Sequence, residues 1–169
     1  MRAVSRWGKA LVRHAGREEG SGLVETALAS TVFLAMVLGI FQMSLASYTL
    51  HYISDAAREG SRYAMVRGSA SCTNTPNLSN CNVTSGQVQT YVRGLAYPGI
   101  QSSRLTVTTT WMSASSTQPT TWSTCTTGTC NAPGNQVKVV AAYTFPLSVP
   151  FVPTLSFSLT STSKMVISQ

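Results

Sequence analysis

The sequence predicts an α+β protein: a long N-terminal helix that crosses a membrane, continues as a stem and packs against a small antiparallel β-sheet. Three observations predict it. From Thr26 to Leu50 the chain runs for 25 residues without a charge. No proline occurs between Met1 and Pro76, so a helix can continue past the apolar stretch. Beyond residue 100, apolar residues alternate with polar ones inside β-branched runs, the period of half-buried strands.

The helix comes first. Arg2, Arg6, Lys9, Arg13 and Arg17 recur at spacings of 4, 3, 4 and 4. If helical, this leader carries one basic stripe, with Val4, Trp7 and Leu11 left for the other side. A flexible, charged leader of a targeting signal reads the same way. Either version puts the N-terminus in the cytoplasm by the positive-inside rule. Leu23 to Leu50 follows, with its densest apolar part from Ala27 to Phe41. About 20 residues suffice to cross the hydrocarbon core, so the stretch is long enough.

The helix then continues through Arg67 as a stem. Tyr52, Ala56, Gly60 and Ala64 extend a four-residue repeat that begins at Tyr48. They form a flat stripe of mostly small residues, bordered by Asp55–Arg58 and Glu59–Arg62 at i,i+3. A helix from Leu23 to Arg67 would be about 67 Å long, so part of it must stand outside the bilayer. The stripe is expected to pack against other copies or against the chain's own domain, and copies are the partner expected here. The organisation is therefore a basic leader over 1–20, a membrane helix and stem over 21–67, and an exported β-rich domain over 68–169.

In that domain Gly68 to Thr84 is a polar loop. Ser85 is placed to cap a short helix with Val88, Val92 and Leu95 on one side, ending near Pro98-Gly99. Leu105–Met112 reads as a first strand and Gln136–Phe145 as a second. Pro146, Pro150 and Pro153 break the chain before a third, Leu155–Ile167, which alternates Leu155, Phe157 and Leu159 against Ser156 and Ser158. Between the first two strands, Ser113 to Asn135 reads as a loop, since 11 of the 18 residues from Ser113 to Cys130 are Ser or Thr.

Composition excludes several functions. All five acidic residues lie in the first 59 positions, and the only histidines are His14 and His51. Two-thirds of the chain therefore lacks the groups for carboxylate-pair hydrolysis, Ser/His/Asp catalysis and most Mg²⁺ or Ca²⁺ sites. Ser161-Thr-Ser-Lys164 matches S-x-x-K without the companion motifs of serine acyl-transfer enzymes. His51 and Asp55 at i,i+4 can make one hydrogen-bonded pair and lack further metal ligands. The net charge of +7 is split between leader and domain, and the outer cations are dispersed, with no nucleic-acid recognition motif. No enzyme, cofactor, metal, nucleic acid or small-molecule substrate is expected. Trp111, Trp122 and Tyr143 are expected in packing.

The four cysteines, Cys72, Cys81, Cys125 and Cys130, suit disulfides in an oxidising compartment. Three connectivities are open; Cys72–Cys81 with Cys125–Cys130 would close two flexible loops. Their C-x8-C and C-x4-C spacings lack the tight knuckle of a zinc site.

Glu25 is the informative residue, because a carboxylate inside an apolar segment costs on the order of 3 kcal/mol near the bilayer centre. It lies at the headgroup level near the helix N-terminus, or it has a partner. Gly20-Ser21-Gly22-Leu23-Val24-Glu25 supplies one: a cut after Gly20 would make Glu25 the fifth residue. The new α-amine of Ser21 would then neutralise Glu25 of a neighbouring copy.

A basic leader, a glycine, a glutamate five positions on and an uncharged helix resemble the processing signal of type IV prepilins. EGSGLVETALAS followed by SDAAREGSRYAMVRG is similar to the TadE-like family, with the "AAREGxRYA" stem at Ala56 to Ala64. The resemblance covers roughly residues 15–68. It implies a pilin-like fold and cleavage by an aspartyl prepilin peptidase. It further implies a non-enzymatic role as a minor pilin (pseudopilin) that assembles or anchors a tight-adherence, Flp-type pilus. The implied location is the bacterial inner membrane, with a periplasmic C-terminal domain. The implied partners are the peptidase, other pilus subunits and assembly-platform proteins. Ser21 departs from the aromatic residue common at mature pilin N-termini, and Glu18 and Glu19 stand where basic residues are usual. A competing pattern, Ser44-Leu45-Ala46, suits signal peptidase I. It would release a domain beginning at Ser47, a secreted binding module or adhesin without pilus-type processing.

Overall fold

The computed structural model describes residues 4–95, 97–114, 121–126, 130–148, 153 and 155–169, with side chains from residue 20 onward. Arg2 and the side chains of Arg6, Lys9, Arg13 and Arg17 lie outside the described set, as do Pro150 and parts of the Ser/Thr-rich segment.

Helix α1 spans Val4–Met65 without interruption. The chain divides into two compact units, one of residues 1–43 with 148–153 and one of 44–147 with 154–169. In the first unit α1 is exposed or half-exposed at every described side chain. Thr26 and Thr31 donate their hydroxyls to the carbonyls of Gly22 (2.8 Å) and Ala27 (2.9 Å), which satisfies them within the helix. Gln42 donates to the carbonyl of Ser148 at 2.9 Å.

The second unit is the α+β domain. Its elements are the end of α1, α2 (Ser71–Asn74), α3 (Ser85–Gly94), a 3-10 turn at Ser102–Arg104, and strands β1 (Leu105–Ala114), β2 (Trp122–Thr124), β3 (Gln136–Leu147) and β4 (Leu155–Val166). The strands form one antiparallel sheet in the order β2-β1-β3-β4. The alternation read in the sequence sets its faces. Leu105, Val107, Val137, Val139, Ala141, Tyr143 and Phe145 point inward and are buried, while Thr106, Thr108 and Thr144 face out.

The inward face meets α3 and the second-unit part of α1. Along α1 burial begins at Ala46 and recurs at Thr49, Tyr52, Ile53, Ala56, Ala57, Ser61 and Ala64, a helical stripe at spacings of three and four. From α3, Val88 and Val92 close the core, each fully buried. Each such aliphatic side chain contributes about 1.5–3 kcal/mol of transfer free energy. Of its hydroxyl-bearing members, Thr49 donates to the Leu45 carbonyl at 2.8 Å and Ser61 bonds the Ser163 hydroxyl at 2.8 Å.

Three expectations need correction. The cap of α3 is Thr84 and not Ser85: Thr84 accepts from the Gln87 N–H while the Gln87 side chain accepts from the Thr84 N–H, a capping box. Pro146 does not break the chain but lies inside β3, opposite Ser156. β1 pairs with β3 only as far as Leu105↔Tyr143, so a residue without an N–H loses no ladder bond on that side. The Ser/Thr-rich segment is not wholly loop. Trp122–Thr124 forms β2 and pairs with Met112–Ala114, with aromatic Trp122 and β-branched Thr124 the residue types that strands favour.

Both loop-closing disulfides are present, Cys72–Cys81 and Cys125–Cys130. Asn80 and Asn82, on either side of Cys81, adopt left-handed backbone (φ 56°), a conformation asparagine tolerates. The C-terminus is tied in as well. Ile167 is 1% exposed and donates to Asn135 at 2.7 Å, and Ser168 donates to the Met65 carbonyl at 3.2 Å. Gly68 lies beneath this tail, where a Cβ would collide with the Gln169 carbonyl, the Ile167 side chain and the Asn131 carbonyl.

Candidate processing and assembly segment

Gly20, Ser21 and Glu25 lie on α1, all exposed. Among the described residues nothing stands within 4 Å of where a Gly20 side chain would be. The bond after Gly20 lies in helical backbone, which must open locally for any protease. Glu25 heads a surface stripe of Leu28, Ala29, Val32, Phe33 and Met36. Those offsets from Glu25 (3, 4, 7, 8 and 11 residues) describe one helix face. The next basic residue along the chain is Arg58, some 33 residues or about 50 Å of helix away. Glu25 therefore has no cation within reach along α1 on its C-terminal side. In a medium of low dielectric its charge requires one from another source.

Beyond Glu25 the helix is uncharged, mostly apolar and exposed or half-exposed through Leu45. Leu23–Leu45 spans about 33 Å at 1.5 Å per residue, enough for the hydrocarbon core. Among the described residues α1 is the one helix long and apolar enough to cross a membrane. The first buried residue, Ala46, marks where the domain takes over the helix face.

The stem stripe has a different destination from the one expected. Tyr52 is 3% exposed, and Ala56 and Ala64 are fully buried, all inside the chain's own core. At Gly60 a Cβ would approach Val92 Cγ2 at 2.8 Å, Val139 Cγ1 at 3.2 Å and Val88 Cγ1 at 3.7 Å. The small residues let α3 and the sheet approach the helix, so this face is not open to other subunits. What the stem exposes is the opposite, charged side. There Arg58 meets Asp55 at 4.0 Å and Arg62 meets Glu59 at 3.5 Å, both i,i+3 and largely exposed. Such pairs contribute about 0–1 kcal/mol each. Asp55 thus meets Arg58 rather than His51.

The remaining motifs separate in space. Ser161 pairs with Ala141 on the inner face of the sheet, whereas Lys164 pairs with Lys138 on the outer one. Three residues along a strand always fall on opposite faces, so the S-x-x-K residues do not converge. Tyr143 is core, and Trp111 packs on its edge. The Thr84-x-x-Gln87 spacing is the capping-box signature that locates the cap one residue before Ser85, whereas no sequence signal marks Gly68, whose neighbours come from Asn131 and the distant C-terminus.

Residues 20–62 match the family model described as TadE-like protein. The helix carries a TadE-like segment. The match opens on Gly20, includes Glu25 and the exposed apolar face, and closes on Arg62 in the stem. The TadE-like segment thus covers the candidate processing site and most of the buried stripe, while the sheet lies outside it. No curated protein and no solved structure matches the chain.

Proposed function

We propose that the chain is a minor pilin, or pseudopilin, of a tight-adherence (Flp-type) pilus system, needed to assemble or anchor the fibre. In this reading α1 anchors it in the bacterial inner membrane, with the N-terminus cytoplasmic and the domain periplasmic. Prepilin peptidase cuts after Gly20. The observation that carries the proposal is the TadE-like match beginning at Gly20, with Glu25 five positions on along an exposed apolar helix.

The chemistry follows from the missing cation. Cleavage leaves a positive α-amine on Ser21, and the mature helix begins with that charge and a carboxylate at its fifth position. Two copies side by side, staggered so that the amine of one meets Glu25 of the other, neutralise both in lipid. The stagger sets the assembly register, and the exposed apolar face supplies the packing surface.

The rival cut after Ala46 gains no support from the fold. Ala46 is 8% exposed in the domain core, and α1 passes through Ser44–Ala46 without a break. A soluble domain from Ser47 would lose that contact and the start of its stem.

Glu25→Leu tests the role of the carboxylate. The variant should insert into the membrane as wild type does and leave cells without surface pili. Normal piliation by Glu25→Leu would refute the assembly role.

A further inference from the structure

Seven large apolar side chains are exposed among the described residues of the domain unit. Six of them gather at one end: Leu45, Tyr48, Leu50, Tyr97, Leu155 and Phe157, each between 36% and 56% exposed. The seventh, Val166, lies at the other end of the sheet, since Val166 pairs with Gln136 while Leu155 pairs with Leu147.

Contacts tie Tyr48, Tyr97 and Phe157 to this end of the domain, while Leu45 and Leu50 flank Tyr48 on other sides of α1. The Tyr48 hydroxyl donates to the Pro98 carbonyl at 3.4 Å. The Tyr97 ring lies 4.5 Å from that of Tyr52. A few residues on, Gln101 donates its N–H to the Tyr143 hydroxyl, and Tyr143 opposes Leu159 in the sheet. Phe157 follows on the same face of β4, its ring 5.3 Å from Phe145.

The charges around this end have one sign. Arg104 directly precedes β1, whose first residue is opposite Tyr143, and Arg93 donates to the Leu105 carbonyl at 3.1 Å. The two carboxylates of the unit, Asp55 and Glu59, lie further along α1 and already meet Arg58 and Arg62.

Position selects the occupant. Leu45, Tyr48 and Leu50 follow the exposed apolar stretch of α1 with no loop between. Leu50 is therefore only about 8 Å along the helix axis from Leu45. The headgroup layer occupies roughly 5–7 Å on each side of the hydrocarbon core. Tyrosines with an apolar body and a wet hydroxyl, flanking leucines and phenylalanine, and arginines at the rim are the composition that suits this layer. Exposed apolar side chains gathered this closely are uncommon on a surface meant to face water.

We propose that this end of the domain seats in the lipid interface of the membrane that α1 enters. Leu45 lies at the acyl boundary, Tyr48, Leu50 and Tyr97 within the headgroup layer with Leu155 and Phe157 beside them, and Arg93 and Arg104 near the phosphates. The proposal rests on α1 spanning the membrane, as taken in the proposed function. The domain is then held against the bilayer until assembly withdraws it, and leaving the lipid uncovers the same surface.

Photo-crosslinking of the full chain in native membranes tests this. p-Benzoylphenylalanine replaces one residue at a time: Tyr97 or Leu155 on the surface, Thr162 on the outer sheet face, and Leu34 in the apolar stretch. The expected result is phospholipid adducts, read by mass, at Tyr97, Leu155 and Leu34, with loss of the adduct at Thr162. Lipid adducts at Leu34 with only protein adducts, or none, at Tyr97 and Leu155 would overturn the proposal and leave the span intact. Absence of lipid adducts at Leu34 as well would overturn the span, and the proposal with it.

Discussion

Gly60→Leu separates an internal stem stripe from an external one. In the structure even a single added carbon at Gly60 would stand 2.8 Å from Val92 Cγ2 and 3.2 Å from Val139 Cγ1, against an unstrained carbon–carbon separation of about 3.5–4.0 Å. Both neighbours are valines, stiff at χ1 and fully buried, so they relieve the overlap only by moving backbone. Overpacking of this kind costs about 1–3 kcal/mol. Replacing a mid-helix glycine returns up to about 1 kcal/mol of helix propensity. Gly60→Ala should therefore be mildly destabilising, by roughly 0–2 kcal/mol. Gly60→Leu adds three further carbons with nowhere to go and should lose about 2 kcal/mol or more. For a unit of about 120 residues that lowers Tm by about 8 °C. The assay is a near-UV circular dichroism melt of the purified chain in detergent, because micelles keep the apolar part of α1 helical and mask the far-UV signal. A Gly60→Leu melt within about 2 °C of wild type, a shift worth about 0.5 kcal/mol, would refute an internal stripe.

Other outcomes follow from the same structure. Denaturant titrations of cysteine-to-serine variants should show a larger loss at Cys72–Cys81, closing nine residues, than at Cys125–Cys130, closing five, about 2.6 against about 2.1 kcal/mol by chain entropy. Thr84→Ala should lower stability by about 1 kcal/mol and Thr84→Ser should not, as read by urea midpoints. Gly68→Ala should accelerate amide hydrogen exchange at Ile167 and Ser168, because the tail must lift away from the new methyl group. Lys138 and Lys164 stand directly opposite each other on the outer face of the sheet. Lys164→Glu should therefore stabilise the domain by about 0.2–1 kcal/mol at low salt, and the gain should shrink at high salt.

The sequence was most legible where one local rule acted alone. The uncharged run and the absence of proline located α1. The alternation in Leu105–Met112, Gln136–Phe145 and Leu155–Ile167 set three strands and their inward faces, and the two local cysteine pairs agree with the loops they close. Periodicity identifies a buried face but not what covers it. The Tyr52–Ala64 stripe reads equally as a contact between chains or as a floor for Val88, Val92 and Val139, and only the fold brings those valines to Gly60. Pro146 looked like a strand end because its cost depends on whether β1 reaches that far along β3, which no local pattern records. Trp122–Thr124 is strand only because Met112–Ala114 offers it an edge. Conversely, Leu155 and Phe157 share a face with half-buried Leu159 yet are exposed, since among the described residues the elements covering that face do not extend over its end.

Glu25 stands out in the sequence for a different reason. A lone carboxylate on an apolar helix conflicts with its surroundings, and the fold leaves that conflict in place, because nothing within the chain's exposed apolar stretch neutralises it.

The N-terminus of the mature protein tests the central claim most directly, by mass spectrometry of membrane fractions from cells expressing the wild type and Gly20→Ala. The account predicts a terminus at Ser21 in the wild type that disappears in Gly20→Ala. A terminus at Ser47, or an uncut leader in both, would contradict it.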